Sequence, residues 1–266
     1  RQGDRQMLRE VIGAACAEYD AAAATIDPLY AQLREREDEL LVLGVYDAVV
    51  RLKHEISLHH GWAEYWLGVL TADDAVRRMQ LLQAAESRFQ DVLSARRAGG
   101  LPPRGLLGLG LVQRERQRWE EAERCLRAVL DGGPPPALAA QARYELGRSH
   151  IAAGKFDEAR AVLRPLLEKV VAAESADEQS VRFYLNLARL WDEIRELTLK
   201  STAPALVYEE ANLIKRSIRD LYSRDIEDVI VGCAFPEGEQ GMNVARLIAL
   251  LAHLPIATAG TTVNRF

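Results

Sequence analysis

Cysteine and histidine are the side chains of this chain that could carry nucleophilic or metal chemistry. A nucleophilic cysteine needs thiolate character, and a zinc site needs cysteines or histidines at short, regular intervals. The three cysteines, Cys16, Cys125 and Cys233, lie far apart and form no CxxC motif. They are interpreted as buried free thiols, which behave as small apolar side chains.

The histidines form one cluster, in which His54 is followed by His59 and His60. A zinc-binding helix presents two histidines four residues apart, whereas the residue four positions after His54 is Leu58. The pair at 59–60 is therefore predicted to lie at a helix C-terminus, where imidazole complements the helix dipole. No catalytic, cofactor-binding or metal-binding residue is predicted.

The charge of the chain gives no general attraction to nucleic acid or to an anionic membrane, because the net charge of the 266 residues is −5. One local basic cluster, Lys215, Arg216 and Arg219, leaves RNA binding as an alternative, although no aromatic residues interleave it. No apolar run of about 18 residues suggests a membrane span. A cytoplasmic protein with neither membrane nor nucleic acid as its main partner is expected.

Long helices must position any site in the first hundred residues. Apolar spacing predicts them at 5–19, 28–59, 62–70 and 72–96. In the last of these, Leu82, Ala85, Phe89 and Val92 recur three and four positions apart and form one core-facing stripe. Residues 99–103, Gly-Gly-Leu-Pro-Pro, then interrupt the helical pattern.

An internal repeat follows this break. Its first copy contains Leu109, Gly110, Trp119, Ala122, Leu126 and Val129, and its second contains Leu146, Gly147, Phe156, Ala159, Leu163 and Leu166, each 37 positions later. The pattern resembles the tetratricopeptide repeat, a helical hairpin of about 34 residues. The resemblance covers about 60–190 and implies that the glycines and alanines lie where helices cross closely. The extra length is assigned to a longer connection at 132–136, Gly-Gly-Pro-Pro-Pro.

Weaker copies flank the two central ones. Residues 65–68, Tyr-Trp-Leu-Gly, resemble the start of an earlier copy, but Gln80 is expected at the position of its small alanine. Residues 180–190 resemble the first helix of a later copy, with Asn186 in place of glycine. The predicted fold class is mostly α, an antiparallel helix-hairpin solenoid with a small α/β segment at the C-terminal end.

The tetratricopeptide resemblance implies a binding groove on the concave face, which the first helix of each hairpin lines. Aligning the Leu-Gly positions places eight residues there: Arg104, Leu107, Leu111, Arg114, Gln141, Tyr144, Arg148 and Ile151. Guanidinium groups bind carboxylates in bidentate fashion, so the predicted partner is a protein or peptide, with an acidic peptide as one option. Alanine at Arg114 and Arg148 is expected to weaken partner binding without unfolding. The alternative is that these arginines only solvate the surface.

The C-terminal third carries two further resemblances. Residues 201–222 are similar to ribonuclease E/G, over about 188–231, which implies a helix, an extended loop, a helix and a strand. The metal-binding aspartates of that family have no counterpart here, so RNA cleavage is not predicted. Residues 233–243 and 261–266 resemble the N-terminal βαβ portion of thiolase, over about 226–266, with a strand at 226–232 and a helix at 244–254. The segment leads toward the nucleophilic cysteine of that family, but no cysteine follows Thr262, and Cys233 ends the strand.

These observations divide the chain into three parts: N-terminal helices at 1–98, tetratricopeptide-like repeats at 99–190, and an α/β appendage at 191–266. The leading hypothesis is a non-catalytic scaffold that binds a partner protein or peptide on its concave face. An RNA-binding protein is one alternative. A truncated thiolase-like acyltransferase fragment, or a chain of composite origin, is another.

Overall fold

A computed structural model of the chain describes residues 2–35, 45–94, 102–173, 177–198, 204–223, 228–232, 244–251, 254 and 258–263. The described chain divides into two compact units, Arg1–Val162 and Leu163–Phe266. The predicted division at residues 98 and 190 follows sequence resemblances, whereas these two units are defined by packing. The three-part division therefore stays a prediction.

Over its described residues, the first unit consists of helices and the connections between them, without a strand. It contains α1 (Gln2–Arg34), α2 (Val45–Leu70), α3 (Ala75–Ser94), α4 (Pro103–Glu115), α5 (Trp119–Asp131), α6 (Pro136–Ala152) and the start of α7 (Phe156–Val171). From α1 to α6, each helix packs against the next one in the chain. In addition, α2 contacts α4 and α4 contacts α6, as stacked hairpins require when their first helices share one side.

The N-terminal helices are correctly predicted in type and wrong in their boundaries. The sequence predicts a break between residues 19 and 28, yet α1 runs through Pro28. Proline normally interrupts a helix, but contacts on both sides hold this one in place. Before Pro28, Ile26 is buried, and after it Tyr30 stacks on Tyr46 at a ring distance of 6.4 Å. Residues 36–44 of the expected 28–59 helix lie outside the described part.

The expected break at residues 60–61 is also wrong, because α2 is continuous through Gly61. A β-carbon at Gly61 would approach the ring of Phe89 to 3.0 Å, so glycine is kept here for close packing of α2 against α3. The helix-end position predicted for His59 and His60 is wrong for the same reason. Both lie in the middle of α2, and His60 is buried.

The two central repeats have the same turn between their helices, bond for bond. Arg118 N donates to Gln113 O at 2.9 Å, and 37 positions later Lys155 N donates to His150 O at 2.8 Å. The residues just before these donors, Gln117 and Gly154, both have left-handed backbones, with φ of 60° and 74°. The tetratricopeptide-like hairpin pair is therefore confirmed.

Small residues lie at the helix crossings, as predicted. Ala122 and Ala159 are both fully buried. At Gly110, a β-carbon would come within 2.9 Å of Leu126 Cγ and 3.3 Å of Cys125 Cβ. Because Leu126 is itself fully buried, it has no space to move away, and α4 and α5 can approach this closely only with glycine at 110.

A third copy of the second-helix stripe is present in α3. Four buried residues there lie 37 positions before the stripe of α5: Leu82, Ala85, Phe89 and Val92. The small alanine is thus Ala85, and its assignment to the exposed Gln80 is wrong. The error comes from counting forward from Gly68, which precedes Gly110 by 42 positions and not 37. This hairpin has a longer connection and an earlier start of its second helix.

The second unit combines helices with a small parallel sheet. Its elements after α7 are α8 (Glu178–Thr198), α9 (Pro204–Ser223), β1 (Asp228–Gly232), α10 (Val244–Leu251) and β2 (Ala259–Val263). Strands β1 and β2 pair in parallel, with Asp228 opposite Ala259, and α10 packs on both. A β-carbon at Gly260 would lie 2.5 Å from Arg246 N, which places α10 directly on β2. The mostly α fold with a small α/β segment is confirmed, although the expected 244–254 helix ends at Leu251.

Candidate functional site on the first helices of the hairpins

The eight predicted groove residues divide into two sets of four. A surface set is exposed or half-buried and consists of Arg104, Gln141, Tyr144 and Arg148. A buried set consists of Leu107, Leu111, Arg114 and Ile151. Only the surface set can touch a partner directly, so the assignment of these positions as a binding site stays a prediction for that set.

The buried leucines belong to the core that holds the hairpins together. Leu107 packs in one cluster with Leu126, and Leu111 packs in another with Tyr65 and Phe89. Alignment with the repeat assigns both leucines to the groove. The sequence alone does not show that aromatic side chains of α2 and α3, such as Tyr65 and Phe89, cover Leu111.

Arg114 is the centre of a buried ionic network and is only 7% exposed. Its Nη1 donates to Glu145, and its Nη2 donates to Glu115 Oε1 at 2.8 Å and lies 3.4 Å from Tyr65 Oη. Glu115 also accepts a bond from Arg78 Nη2 at 2.6 Å. Burial raises the pKa of Tyr65 to about 12, so this hydroxyl stays protonated. Arg114 already has two carboxylate partners, and its role here is structural.

Arg148 differs from Arg114 because its side chain is 43% exposed. Its Nη1 lies 3.3 Å from Glu145 Oε2, the same carboxylate that binds Arg114. A guanidinium group carries five N–H donors, so one contact to Glu145 leaves donors directed to solvent. Glu145 thus contacts both the exposed Arg148 and the buried Arg114.

Trp66 is an exposed aromatic residue that the sequence reasoning missed. It lies on α2, is 47% exposed, and packs edge-on against Tyr65 at a ring distance of 5.1 Å. Tyr65 in turn approaches Arg114, so the indole adjoins the ionic network. Exposed tryptophan is enriched at the energetic centres of protein interfaces. The sequence contains this tryptophan in the Tyr-Trp-Leu-Gly segment at 65–68. The repeat pattern there indicates the start of a hairpin, but not that the indole is exposed.

The basic cluster of α9 is largely paired with carboxylates of the same unit. Lys215 Nζ donates to Asp192 Oδ1 at 2.6 Å, and Arg219 Nη2 donates to Asp220 Oδ1 at 3.0 Å. A phosphate backbone would have to compete with these carboxylates. Both ion pairs are partly exposed, and RNA binding at this helix stays an alternative.

The described cysteines have the properties of structural thiols. Cys16 and Cys125 are free and half-buried, and burial raises the pKa of each thiol, which disfavours the thiolate that a nucleophile needs. Cys233 lies outside the described residues.

Within the described ranges, no group of three or more cysteine, histidine or acidic side chains could hold a metal ion. No described helix is long and apolar enough to cross a membrane.

Two known families match parts of the chain. Residues 107–169 match the tetratricopeptide repeat family, and residues 167–237 match the ribonuclease E/G family. The first match lies within the predicted 60–190, and the second contains the predicted 188–231. All three suspected resemblances are confirmed, because partial thiolase relatives are found as well.

The thiolase relatives are similar over short segments. The chain is 53% identical to a 3-ketoacyl-CoA thiolase of Bacillus subtilis over 45 residues, which is 17% of this chain and 12% of that protein. It is 44% identical to a 3-ketoacyl-CoA thiolase of Marinomonas sp. over 71 residues, 27% of this chain and 17% of the thiolase. A 3-oxoadipyl-CoA/3-oxo-5,6-dehydrosuberyl-CoA thiolase of Escherichia coli is 58% identical over 40 residues, 15% of this chain and 10% of that enzyme. The chain therefore spans 10% to 17% of the length of these relatives. No solved structure matches the chain.

Proposed function

We propose that this chain is a non-catalytic helical-repeat scaffold that binds a partner protein or peptide on the first helices of its hairpins. Tetratricopeptide repeats commonly bind proteins, and the match at 107–169 supports that class of function. The observation that carries the proposal is the arrangement of side chains. Exposed Trp66, Arg104 and Arg148 lie on α2, α4 and α6, all first helices of hairpins.

The exposed side chains of these first helices favour an acidic partner with an apolar side chain. Arg104 and Arg148 supply exposed guanidinium groups for carboxylates. Trp66 supplies a large, partly desolvated surface that can pack against an aliphatic or aromatic side chain. Arg114 does not contact the partner in this proposal. It holds Glu145, which in turn positions Arg148.

A random peptide library displayed on phage tests the proposal, because such a library samples many partner sequences at once. We expect the native chain to select acidic peptides, and the Arg104→Ala/Arg148→Ala variant to bind them at least tenfold more weakly. The matched control is Arg124→Ala, because Arg124 is 77% exposed on α5, a second helix. Equal binding by the double variant and the control would contradict the proposed face.

Arg114 is unsuitable as a binding probe, contrary to the expectation that its replacement would leave the fold intact. Removing one partner of a buried ion pair leaves the other charges uncompensated and costs about 3–5 kcal/mol. Arg148→Ala, at an exposed position, is expected to change the unfolding free energy by less than about 1 kcal/mol. Urea denaturation of both variants separates loss of fold from loss of binding.

RNA binding is the second candidate function, and the ribonuclease E/G match at 167–237 favours it. The paired state of Lys215 and Arg219 argues against α9 as the contact surface. Gel-shift titration of single-stranded RNA at several salt concentrations tests it, since phosphate contacts make affinity fall with ionic strength. Affinity that falls with salt and is lost in Lys215→Ala/Arg216→Ala/Arg219→Ala would favour RNA binding over the scaffold proposal.

A further inference from the structure

Helix α1 packs against a polar stripe on α2. Lys53, Ser57, His60 and Glu64 are spaced four, three and four positions apart, which places them on one face of the helix. Ser57, His60 and Glu64 are all buried. Packed helices usually bury apolar side chains at their contact, so a polar stripe gives a weaker and more reversible attachment.

The α1 side of this contact is also poor in buried apolar residues. Among the described residues of α1, Ile26 is the one buried apolar side chain. Several other residues of α1 are half-buried, and its directional contacts to α2 include Tyr19, which stacks on His60 at 5.8 Å, and Arg9, whose Nε donates to Leu70 O at 2.9 Å. Lys53 binds the carboxylate of Asp27. Charged and polar groups therefore contribute to the attachment of α1.

A four-residue charge cluster lies in the middle of this contact. His60 Nε2 is 3.2 Å from Glu64 Oε1 and 3.7 Å from Asp20 Oδ1 of α1. Arg88 of α3 approaches both acids, with Nη2 3.5 Å from Asp20 Oδ1 and Nε 4.0 Å from Glu64 Oε1. His60 Nδ1 and Glu64 Oε2 are buried without a hydrogen-bond partner. Burial, Glu64 and Asp20 raise the pKa of the nearby Cys16 thiol of α1, and Arg77 of α3 lowers it.

The charge balance of the cluster depends on a single proton. When the His60–Glu64 pair holds one proton, the pair is neutral and Asp20 balances Arg88. When that proton leaves, the cluster carries one net negative charge, and Glu64 Oε2 is buried without a donor. A buried charge without a partner is strongly unfavourable.

The direction of the pKa shifts agrees with this balance. Burial raises the pKa of Glu64 from 4.5 to about 7, with Arg88 opposing the shift and Asp20 adding to it. Burial lowers the pKa of His60, so a second proton is disfavoured. Because the pKa of Glu64 is raised in the docked state, its stabilising effect is fully present below pH 4.5. That effect is lost as the pH rises through about 7.

We propose that the His60–Glu64 pair is a proton-dependent latch for α1, which docks on α2 while the pair holds one shared proton and is released when that proton is lost. Release places Glu64 in water and removes the neighbouring charge of Asp20, and both changes favour the ionised carboxylate. Proton uptake and docking of α1 are thus thermodynamically linked.

Hydrogen exchange of the full chain, measured by mass spectrometry between pH 6 and pH 8, tests the latch. Each exchange rate is divided by the rate of an unprotected amide at the same pH, which gives a protection factor. Helix α4, which does not pack against α1, serves as the internal reference for these factors. For one linked proton with pKa values of 4.5 and about 7 in the two states, protection of α1 should fall about tenfold across this range. Protection of α1 that does not change with pH would overturn the proposal.

Three variants separate the latch from ordinary packing. Glu64→Gln keeps the shape and removes the proton, so its α1 protection should vary less than about twofold between pH 6 and pH 8. Arg9→Gln removes contacts at the far end of α1, so it should lower protection equally at every pH. Asp20→Asn changes an exposed residue and should move the transition to lower pH, which keeps the test decisive if Glu64→Gln unfolds. A native pH profile in Glu64→Gln or Asp20→Asn would refute the latch.

Discussion

Gly108 provides the sharpest test of how closely the hairpins pack. A β-carbon built there would lie 2.3 Å from Phe89 Cζ and 2.5 Å from Cε1, far inside normal contact. Phe89 is fully buried and packs edge-on against Trp62 at 5.5 Å, so its ring cannot swing away. Replacing glycine by alanine inside a helix normally stabilises it by about 1 kcal/mol. Overpacking of this severity costs about 3 kcal/mol, so Gly108→Ala should lower the unfolding free energy by about 2 kcal/mol.

Gly105→Ala is the matched control, because Gly105 lies in the same helix and its nearest contact would be an ordinary 3.5 Å from Leu93 Cδ2. Urea denaturation followed by circular dichroism should find this variant at or above native stability. Adding Phe89→Leu should relieve the clash, with a coupling energy of at least about 1 kcal/mol between the two sites. Equal stability of Gly105→Ala and Gly108→Ala, or no coupling with Phe89→Leu, would refute the packing argument.

Two further predictions use the 37-residue correspondence. Burial lowers the pKa of His150, so its contribution to stability is present above pH 6.5 and is lost as the pH falls below that value. In His150→Gln, which copies Gln113 of the first repeat, the loss of stability between pH 7 and pH 5 should be smaller than in the native chain; equal losses in denaturant titrations would contradict this. At the turns, Gln117→Gly should raise the unfolding free energy by about 0.5–1 kcal/mol and Gly154→Ala should lower it by about 1 kcal/mol, because both positions have positive φ. Two shifts of the same sign in melting temperature would contradict the turn geometry.

The repeat could be predicted because its requirements are local and recur. An alanine at each crossing and a glycine facing Leu126 meet steric requirements that only small residues satisfy, so their recurrence is visible in the sequence. The left-handed backbone at Gln117 is not visible there, because glutamine does not indicate a positive φ. The earlier copy of the second-helix stripe, in α3, could not be found by counting from Gly68. Helix α3 begins at Ala75, whereas the residue 37 positions before the start of α5 is Leu82, so the spacing from Gly68 fails while the spacing from Ala85 is preserved.

The buried charges could not be predicted, because their partners come from separate helices. Arg114 is an ordinary surface residue by sequence, and its burial depends on Tyr65 of α2 and Glu145 of α6. His60 is likewise a residue type that is common at helix ends. In the structure it lies near Asp20 of α1, which also contacts Arg88 of α3. Periodicity shows which face of a helix is apolar. It does not show which polar residue on a neighbouring helix will complete a pair.

The same contrast separates the two units of the chain. Stacked hairpins supply their own core, since each apolar stripe is covered by the next helix, and Ala122 and Leu126 are accordingly fully buried. Helix α10 is instead apolar on nearly all sides. Exposed apolar residues there are Leu247, Ile248, Leu250 and Leu251, and Ile230 of β1 is exposed as well. Helices of this kind are normally covered all round, and parallel strands are normally covered on both faces. The β1–α10–β2 segment therefore leaves exposed the kind of apolar surface that α/β proteins usually bury. The apolar stripes of the stacked hairpins are instead covered by neighbouring helices, so the repeat accounts for its own buried surface.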